Sequence, residues 1–136
     1  MLTILETAGI DVPGNVEGRS ILPLLTASPA DAGWRDYVHG EHSACYRQDL
    51  GMQFLTDGKE KYIWYILSGE EQFFNLQDNP NELHNLARVP DHSKRVKLWR
   101  SRLVAELTSR KEDALADGQR LIPGRSLPAV RPSLLR

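Results

Sequence analysis

The sequence predicts an α+β fold, in which a four-stranded antiparallel sheet carries one long C-terminal helix packed on one face. Within residues 50–87, three short segments rich in aromatic and β-branched residues are separated by an Asp-Gly turn at 57–58 and a Ser-Gly-Glu turn at 68–70. This pattern is typical of an antiparallel meander. After Pro90 the apolar residues recur at helical spacing, so we expect the sheet to be followed by a covering helix.

Composition limits the chain to a modest globular domain. With 136 residues and a hydrophobic fraction of 40%, one small core is expected, and the three tryptophans are predicted to lie in it. Lys plus Arg number 17 against 18 for Asp plus Glu, so no net field attracts nucleic acid or an acidic membrane. No apolar run approaches the roughly 20 residues that span a bilayer. The single Cys45 cannot form an internal disulfide.

The N-terminal residues predict a short helix and a capped turn. Apolar side chains recur at helical spacing from Leu2 to Ala8, and Gly9 is a helix stop. Because no capping residue precedes the first apolar position, we expect the end of a longer helix. Ser20 is predicted to cap a short apolar turn that carries Pro23.

The sheet is predicted from alternation. Residues 34–42 alternate in polarity and are expected to form the fourth strand. The segment around Trp64 is apolar on both faces, which is typical of a central strand covered on both sides. Its two faces carry Tyr62, Trp64 and Ile66, and Ile63, Tyr65 and Leu67. Pro80 ends the last strand region, because it lacks a backbone donor.

The long helix is predicted from about Asp91 to Ala114, with Asp91 as its capping residue and Gly118 as a stop. Its apolar stripe consists of Val96, Trp99, Leu103 and Leu107. The remaining residues, 119–136, are rich in Pro and Arg. A tail of this composition is either disordered or an extended strap along a surface.

The densest group of chemically active side chains lies at residues 39–42. On a strand, His39 and Glu41 share a face while His42 points to the other, so this spacing does not direct three ligands at one metal. We therefore predict no metal site and no catalytic residue in this chain. Glu70 and Glu71 are adjacent carboxylates at a turn, and we predict that both are solvated surface residues.

Several segments occur together in a specific order. They are AGIDVPGNVEGRSILPLL, WRDYVHGEHS, MQFLTDGKEKYIWY and FFNLQDNPNELHNLA, followed by the amphipathic helix. Taken together, residues 2–112 resemble the C-terminal part of bacterial sulfatases of the arylsulfatase type. One departure is that Asn79 stands where the family usually has Asp before Pro80.

The resemblance implies a parent enzyme that hydrolyses sulfate esters. Its formylglycine nucleophile and calcium site would lie in an N-terminal catalytic domain, because neither C-x-P-S-R nor S-x-P-x-R occurs here and Cys45 is followed by Tyr-Arg-Gln. The expected partners are that catalytic domain and a sulfated small molecule or carbohydrate. We expect the chain alone to be inactive, whether it is an excised piece or the product of a truncated gene, bacterial and either periplasmic or cytoplasmic.

Two other functions stay open. The isolated chain could serve as a non-catalytic packing or interaction module, or the parent could hydrolyse phosphonate or phosphate esters.

The resemblance also implies a division of the chain. Residues 1–33 would end the catalytic domain and form a linker, 34–118 would be the C-terminal sulfatase subdomain, and 119–136 a tail.

The resemblance further implies that the loop after the first strand borders the substrate cleft. Because imidazole can donate a hydrogen bond to a sulfate ester, the substrate-contact candidates are His42, His39, Tyr46 and Gln53. The alternative is that these side chains only satisfy one another and the nearby backbone. The sheet face away from the helix is expected to be partly apolar, so that the chain alone could self-associate through it.

Overall fold

The computed structural model divides the chain into two compact units, Met1–Asp36 and Tyr37–Arg136. Cys45, the candidate Tyr46 and the end of the predicted tail, 127–136, lie outside the described residues. The structure describes residues 1–16, 18–26, 33–44, 47–110 and 113–126.

The first unit contains the predicted short helix, and the predicted apolar turn forms a second short helix. Helix α1 is Leu2–Thr7 and α2 is Leu22–Thr26. Gly9 follows α1 with a φ of +66°, a conformation that glycine adopts at little cost. The amide of Leu22 donates to Oγ of Ser20 at 3.2 Å, which confirms the predicted cap.

The second unit is built on an antiparallel sheet in the order β1-β2-β3-β4. The predicted α+β fold with four antiparallel strands is confirmed. The first strand is shorter than the predicted 34–42, because its partner β2 ends at Thr56, opposite Val38, just before a turn. The strands are β1 Val38–His42, β2 Met52–Thr56, β3 Glu60–Tyr65 and β4 Glu71–Asn75.

Both predicted turns are present. Gly58 and Gly69 have φ values of +83° and +72°, where glycine is favoured. Oδ1 of Asp57 accepts from the amides of Lys59 and Glu60 at 2.9 and 2.7 Å. This side chain therefore fixes the β2–β3 turn and, with it, the strand register.

The covering helix begins and ends differently from the prediction. A 3-10 turn at Pro90–His92 leads into α3, Ser93–Thr108. His92 occupies the cap position of α3, and no side-chain cap bond is formed there within the described residues, so the predicted cap by Asp91 is wrong. The predicted end at Ala114 is also wrong, since that residue has a φ of +47°.

The segment after α3 folds back onto the second unit. Leu115 and Leu121 are 2% and 9% exposed. The amide of Gly124 donates to the carbonyl of Ile66 at 3.0 Å. Gly118 lies between the bridged residues Ala116 and Leu121, not at the end of a helix. Up to residue 126 the predicted tail is therefore an ordered strap.

The core lies between α3 and one face of the sheet. The predicted helix stripe is buried, and Trp64 and Trp99 are 2% and 0% exposed, whereas Trp34 is only partly buried. The predicted placement of all three tryptophans in the core is therefore wrong for Trp34. The core cluster contains Leu55, Tyr62, Trp64, Ile66, Phe73, Val96, Trp99, Leu103, Val104, Leu107, Leu115 and Leu121.

The opposite face of the sheet is more covered than predicted. Ile63 and Phe74 are 5% and 4% exposed, so β3 is buried on both faces, as expected for a central strand. Val38 is 45% exposed at the edge. A Cβ on Gly40 would lie 2.2 Å from the ring of Phe54, so glycine permits this ring to lie against β1. Self-association through this face stays a prediction.

No helix in the described part of the chain is long and apolar enough to cross a membrane.

Candidate functional site

The residues of the predicted site divide between the two faces of the sheet. Strand alternation turns His39 and Glu41 towards α3 and His42 away from it. Glu41 lies opposite Gln53, whereas His42 lies opposite Met52. The structure therefore brings His39 and Gln53 together and separates both from His42.

On the helix side of the sheet, a polar network links β1 and β2 to α3 and to Arg110, which follows α3. Nε2 of His39 donates to Oε1 of Gln53 at 2.7 Å, and Nε2 of Gln53 donates to Glu41 at 3.4 Å. Glu41 also accepts from Arg110 at 2.9 Å. Nδ1 of His39 lies 3.9 Å from the carboxylate of Glu106. Gln53 is only 4% exposed, so these groups mainly satisfy one another, which was the alternative interpretation.

The charge of Glu41 depends on this network. The hydrogen bond from Arg110 is the largest cause that lowers the pKa of Glu41, and it outweighs the opposing effect of burial. Glu41 therefore stays ionised in the network, and the ion pair ties the edge strand β1 to the residues that follow α3.

His42 differs from the other candidates. Its side chain is partly buried, and its Nδ1 atom is buried without a hydrogen-bond partner in the described part of the chain. Buried polar atoms in proteins are nearly always hydrogen-bonded, so this nitrogen lacks the partner that such an atom usually has.

Sequence reasoning missed a partly buried ion pair at Glu71. The hydroxyl of Tyr62 donates to this carboxylate, and Arg100 donates to both of its oxygens, with Nη2 to Oε2 at 2.6 Å. Glu70 is exposed as predicted, but the prediction of a solvated Glu71 is wrong. Strand alternation places Glu71 on the face that α3 covers, and this signal could have identified it.

The pKa values around Glu71 follow from this contact. Burial acts to raise the pKa of Glu71, but the hydrogen bonds from Arg100 and Tyr62 outweigh it and leave the pKa below its usual value. Burial, and then the neighbouring Glu71 charge, raise the pKa of Tyr62. The three groups are hydrogen-bonded to one another between the sheet and α3, which indicates a structural role.

A third sheet carboxylate is held in the same way. Glu60 accepts from Arg95 and from the indole nitrogen of Trp99, the latter at 2.7 Å. On the opposite face, Lys61 donates to both carboxylate oxygens of Glu82 at 3.0 and 2.9 Å. Glu41, Glu60 and Glu71 thus each bind an arginine of α3 or of the segment after it, which indicates a structural role.

Asn85 fixes the chain that leaves β4. Its Oδ1 accepts from the amides of Phe73 and Ala87 at 3.0 Å each, and its Nδ2 donates to the carbonyl of Glu71 at 3.2 Å. The side chain takes the place of a neighbouring strand at the edge of the sheet. Asn85 therefore fixes the turn that follows β4.

The described residues do not offer a calcium site, and the sequence does not offer a formylglycine motif. Among the described residues, no group of three or more His, Cys, Asp or Glu side chains is arranged to hold a metal ion. The sequence also lacks both motifs that yield formylglycine.

The sequence family described as N-sulphoglucosamine sulphohydrolase, C-terminal, matches residues 1–111. The chain belongs to this family. The arylsulfatase of Clostridium perfringens is 38% identical over 124 residues, which are 91% of this chain and 24% of that protein. A multifunctional alkaline phosphatase superfamily protein of Trinickia caryophylli is 31% identical over 121 residues, covering 74% of this chain and 23% of that protein.

Solved structures agree with this assignment. The chain superposes on a structure described as a 2-O GAG sulfatase with a TM-score of 0.69 and 26% identity, over 96% of this chain and 30% of that one. The resemblance to sulfatases is confirmed, and the fold is that of a sulfatase C-terminal domain. The chain spans about a quarter of the length of the curated relatives it matches.

Proposed function

We propose that this chain is the C-terminal domain of an enzyme that hydrolyses sulfate esters, and that it supplies packing and substrate contacts but not the reactive groups. The observation that carries the proposal is the match of residues 1–111 to a sulfatase C-terminal family. The hydrogen-bonded ion pairs between the sheet and α3 support the claim that this chain does not supply the reactive groups, because their acidic and basic side chains are engaged with each other.

The reactive machinery of the parent would lie outside this chain. A formylglycine nucleophile and a calcium ion would belong to an N-terminal catalytic domain, which is the expected partner. The substrate would be a sulfated small molecule or carbohydrate. The relatives that carry the name arylsulfatase support this class of substrate.

Among the four candidates, we propose His42 as the residue that contacts substrate. Its unpartnered Nδ1 can donate a hydrogen bond to an anionic sulfate ester. His39 and Gln53 are already hydrogen-bonded to each other, so their proposed contact would require the network to open. Tyr46 lies outside the described residues and is proposed from the sequence alone.

A domain exchange tests this function. The matching C-terminal quarter of the Clostridium perfringens arylsulfatase is replaced by this chain, and turnover of a chromogenic aryl sulfate is measured with and without calcium. We expect the chimera to be active and the isolated chain to be inactive. Turnover by the pure isolated chain, or a folded chimera without activity, would contradict the proposal.

Within the chimera, His42→Ala tests the substrate contact. Losing one hydrogen bond to a charged group raises KM about tenfold, with the melting temperature nearly unchanged. His84→Ala is the matched control, since His84 is exposed and only its backbone carbonyl accepts a hydrogen bond. Equal effects of the two substitutions would remove His42 from the substrate site.

The phosphonate or phosphate ester alternative has one supporting observation, the 31% identity to the alkaline phosphatase superfamily protein of Trinickia caryophylli. The same exchange into that protein, assayed with whichever ester that host hydrolyses, compares the two. If the chain restores a larger share of activity to this host than to the arylsulfatase, the alternative replaces the sulfatase proposal. If both chimeras fold and neither is active, a non-catalytic interaction module is the better description.

A further inference from the structure

An arginine pair in the first unit lies against one tryptophan. The Cζ atoms of Arg19 and Arg35 are each 5.3 Å from the ring centroid of Trp34. Arg19 also donates to the carbonyl of Gly33 at 2.8 Å. Both arginines are exposed, and Trp34 is partly buried. Both positive charges thus lie near the same indole ring at the surface.

The two charges have no counter-charge in the described part of the chain. Neither guanidinium forms an ion pair there, and neither has an interaction beyond those just given. The only basic residues in the 36-residue first unit are Arg19 and Arg35, against five acidic ones. Both of these arginines therefore lie over a single ring.

This arrangement has a physical consequence. A cation over an exposed aromatic ring gains only about 0.5–1 kcal/mol, and two like charges at one ring repel each other. A guanidinium near a ring still offers forked N–H groups, which match the oxygens of an oxyanion. An anion that contacts both guanidiniums would offset the repulsion and engage these donors.

We propose that Arg19, Trp34 and Arg35 form a contact site for a sulfate group of a sulfated saccharide. The choice of sulfate over other oxyanions rests on the proposed function, whereas the site itself rests on the two arginines that lie over one indole ring. The net negative charge of the unit means that no general attraction for polyanions is expected. The contact is local and needs both guanidiniums.

The indole N–H signals in two-dimensional NMR of the whole chain provide the test. Trp64 and Trp99 are buried, so only the signal of Trp34, assigned with Trp34→Phe, should move when a sulfated heparin disaccharide is added. The shift of the Trp34 signal should reach a constant value as the ligand concentration rises. An unsulfated disaccharide and glucosamine 6-phosphate are the comparison ligands.

Substitutions decide which residues bind. Arg35→Gln should weaken binding roughly fivefold, since one exposed charge-assisted contact is lost. Arg47→Gln is the matched control, because it removes the same charge from an exposed arginine that pairs with Asp49, and it should leave affinity within about twofold. If Arg35→Gln does not fold, Arg19→Gln takes its place in the same titration.

Four results would overturn the inference. Two concern the sulfated disaccharide: the Trp34 signal shows no saturable shift up to about 10 mM ligand, or the arginine substitution at the ring and Arg47→Gln weaken binding equally. The other two concern the comparison ligands: the unsulfated sugar binds equally well, or the phosphorylated sugar binds more tightly. The measurement involves no turnover. An inactive chimera therefore leaves this result interpretable, and an absent shift leaves the sulfatase proposal intact.

Discussion

Replacing Glu71 by glutamine should loosen α3 from the sheet. The carboxylate of Glu71 accepts from the buried hydroxyl of Tyr62 and from two nitrogens of Arg100. An amide has nearly the same shape but only one acceptor atom. In Glu71→Gln, the amide nitrogen would face a guanidinium donor, and the ionic component of the pair would be lost.

The expected cost follows from the burial of the pair. The side chains of Glu71 and Arg100 are 23% and 40% exposed. Hydrogen bonds to charged groups contribute about 1.5–3 kcal/mol, while exposure of the guanidinium lets water replace part of the loss. We expect the free energy of unfolding to fall by about 2 kcal/mol, which lowers the urea midpoint by roughly 1 M.

Urea unfolding followed by tryptophan fluorescence measures this change, since Trp64 and Trp99 both lie in the core. Glu70→Gln is the matched control, because the neighbouring side chain is exposed, and it should change stability by less than about 0.5 kcal/mol. A Glu71→Gln variant as stable as the native chain, or a Glu70→Gln variant equally destabilised, would refute the structural role of Glu71.

Three further predictions concern the same unit. Leu103→Ala removes a side chain with 0% exposure from the core and should cost about 3 kcal/mol in the same urea experiment; a loss below 1 kcal/mol would count against the core assignment. The pKa of Glu71 is lowered from 4.5 in the folded state, so the stabilisation that this carboxylate contributes is present above pH 4.5 and is lost as the pH falls through the folded pKa. The melting temperature of Glu71→Gln should therefore fall less on acidification than that of the native chain. Parallel curves of melting temperature against pH would contradict this. Asn85→Ala removes the acceptor of the Phe73 amide and should accelerate hydrogen exchange at Phe73 by about tenfold, whereas unchanged exchange would show that another acceptor protects it.

Local rules predicted the parts of the fold that local chemistry decides. The turns at Gly58 and Gly69 require left-handed backbone, and the sequence supplies glycine at both. The double-sided apolar pattern around Trp64 identified the central strand, and helical spacing identified the stripe that contains Trp99. Each of these signals is contained within a few neighbouring residues.

Contacts between distant segments were not predictable in the same way. Helical propensity alone does not show that α3 ends at Thr108, because the segment that follows it turns back to bury Leu115. The partner of Glu71 lies 29 positions away, at Arg100, and no local pattern connects them. Likewise, the strand period placed His39 and His42 on opposite faces, but it did not show that Gln53 engages His39.

The return of residues 113–126 to the sheet affects how the domain can be cut. The family match ends at residue 111, yet Leu115 and Leu121 lie beyond it in the core. A version trimmed at the end of the match would expose apolar surface worth about 1.5–3 kcal/mol for each leucine. The natural edge of the folding unit therefore lies at least as far as Gly124, whose amide donates to the carbonyl of Ile66, and trimmed versions should aggregate more readily than the longer chain.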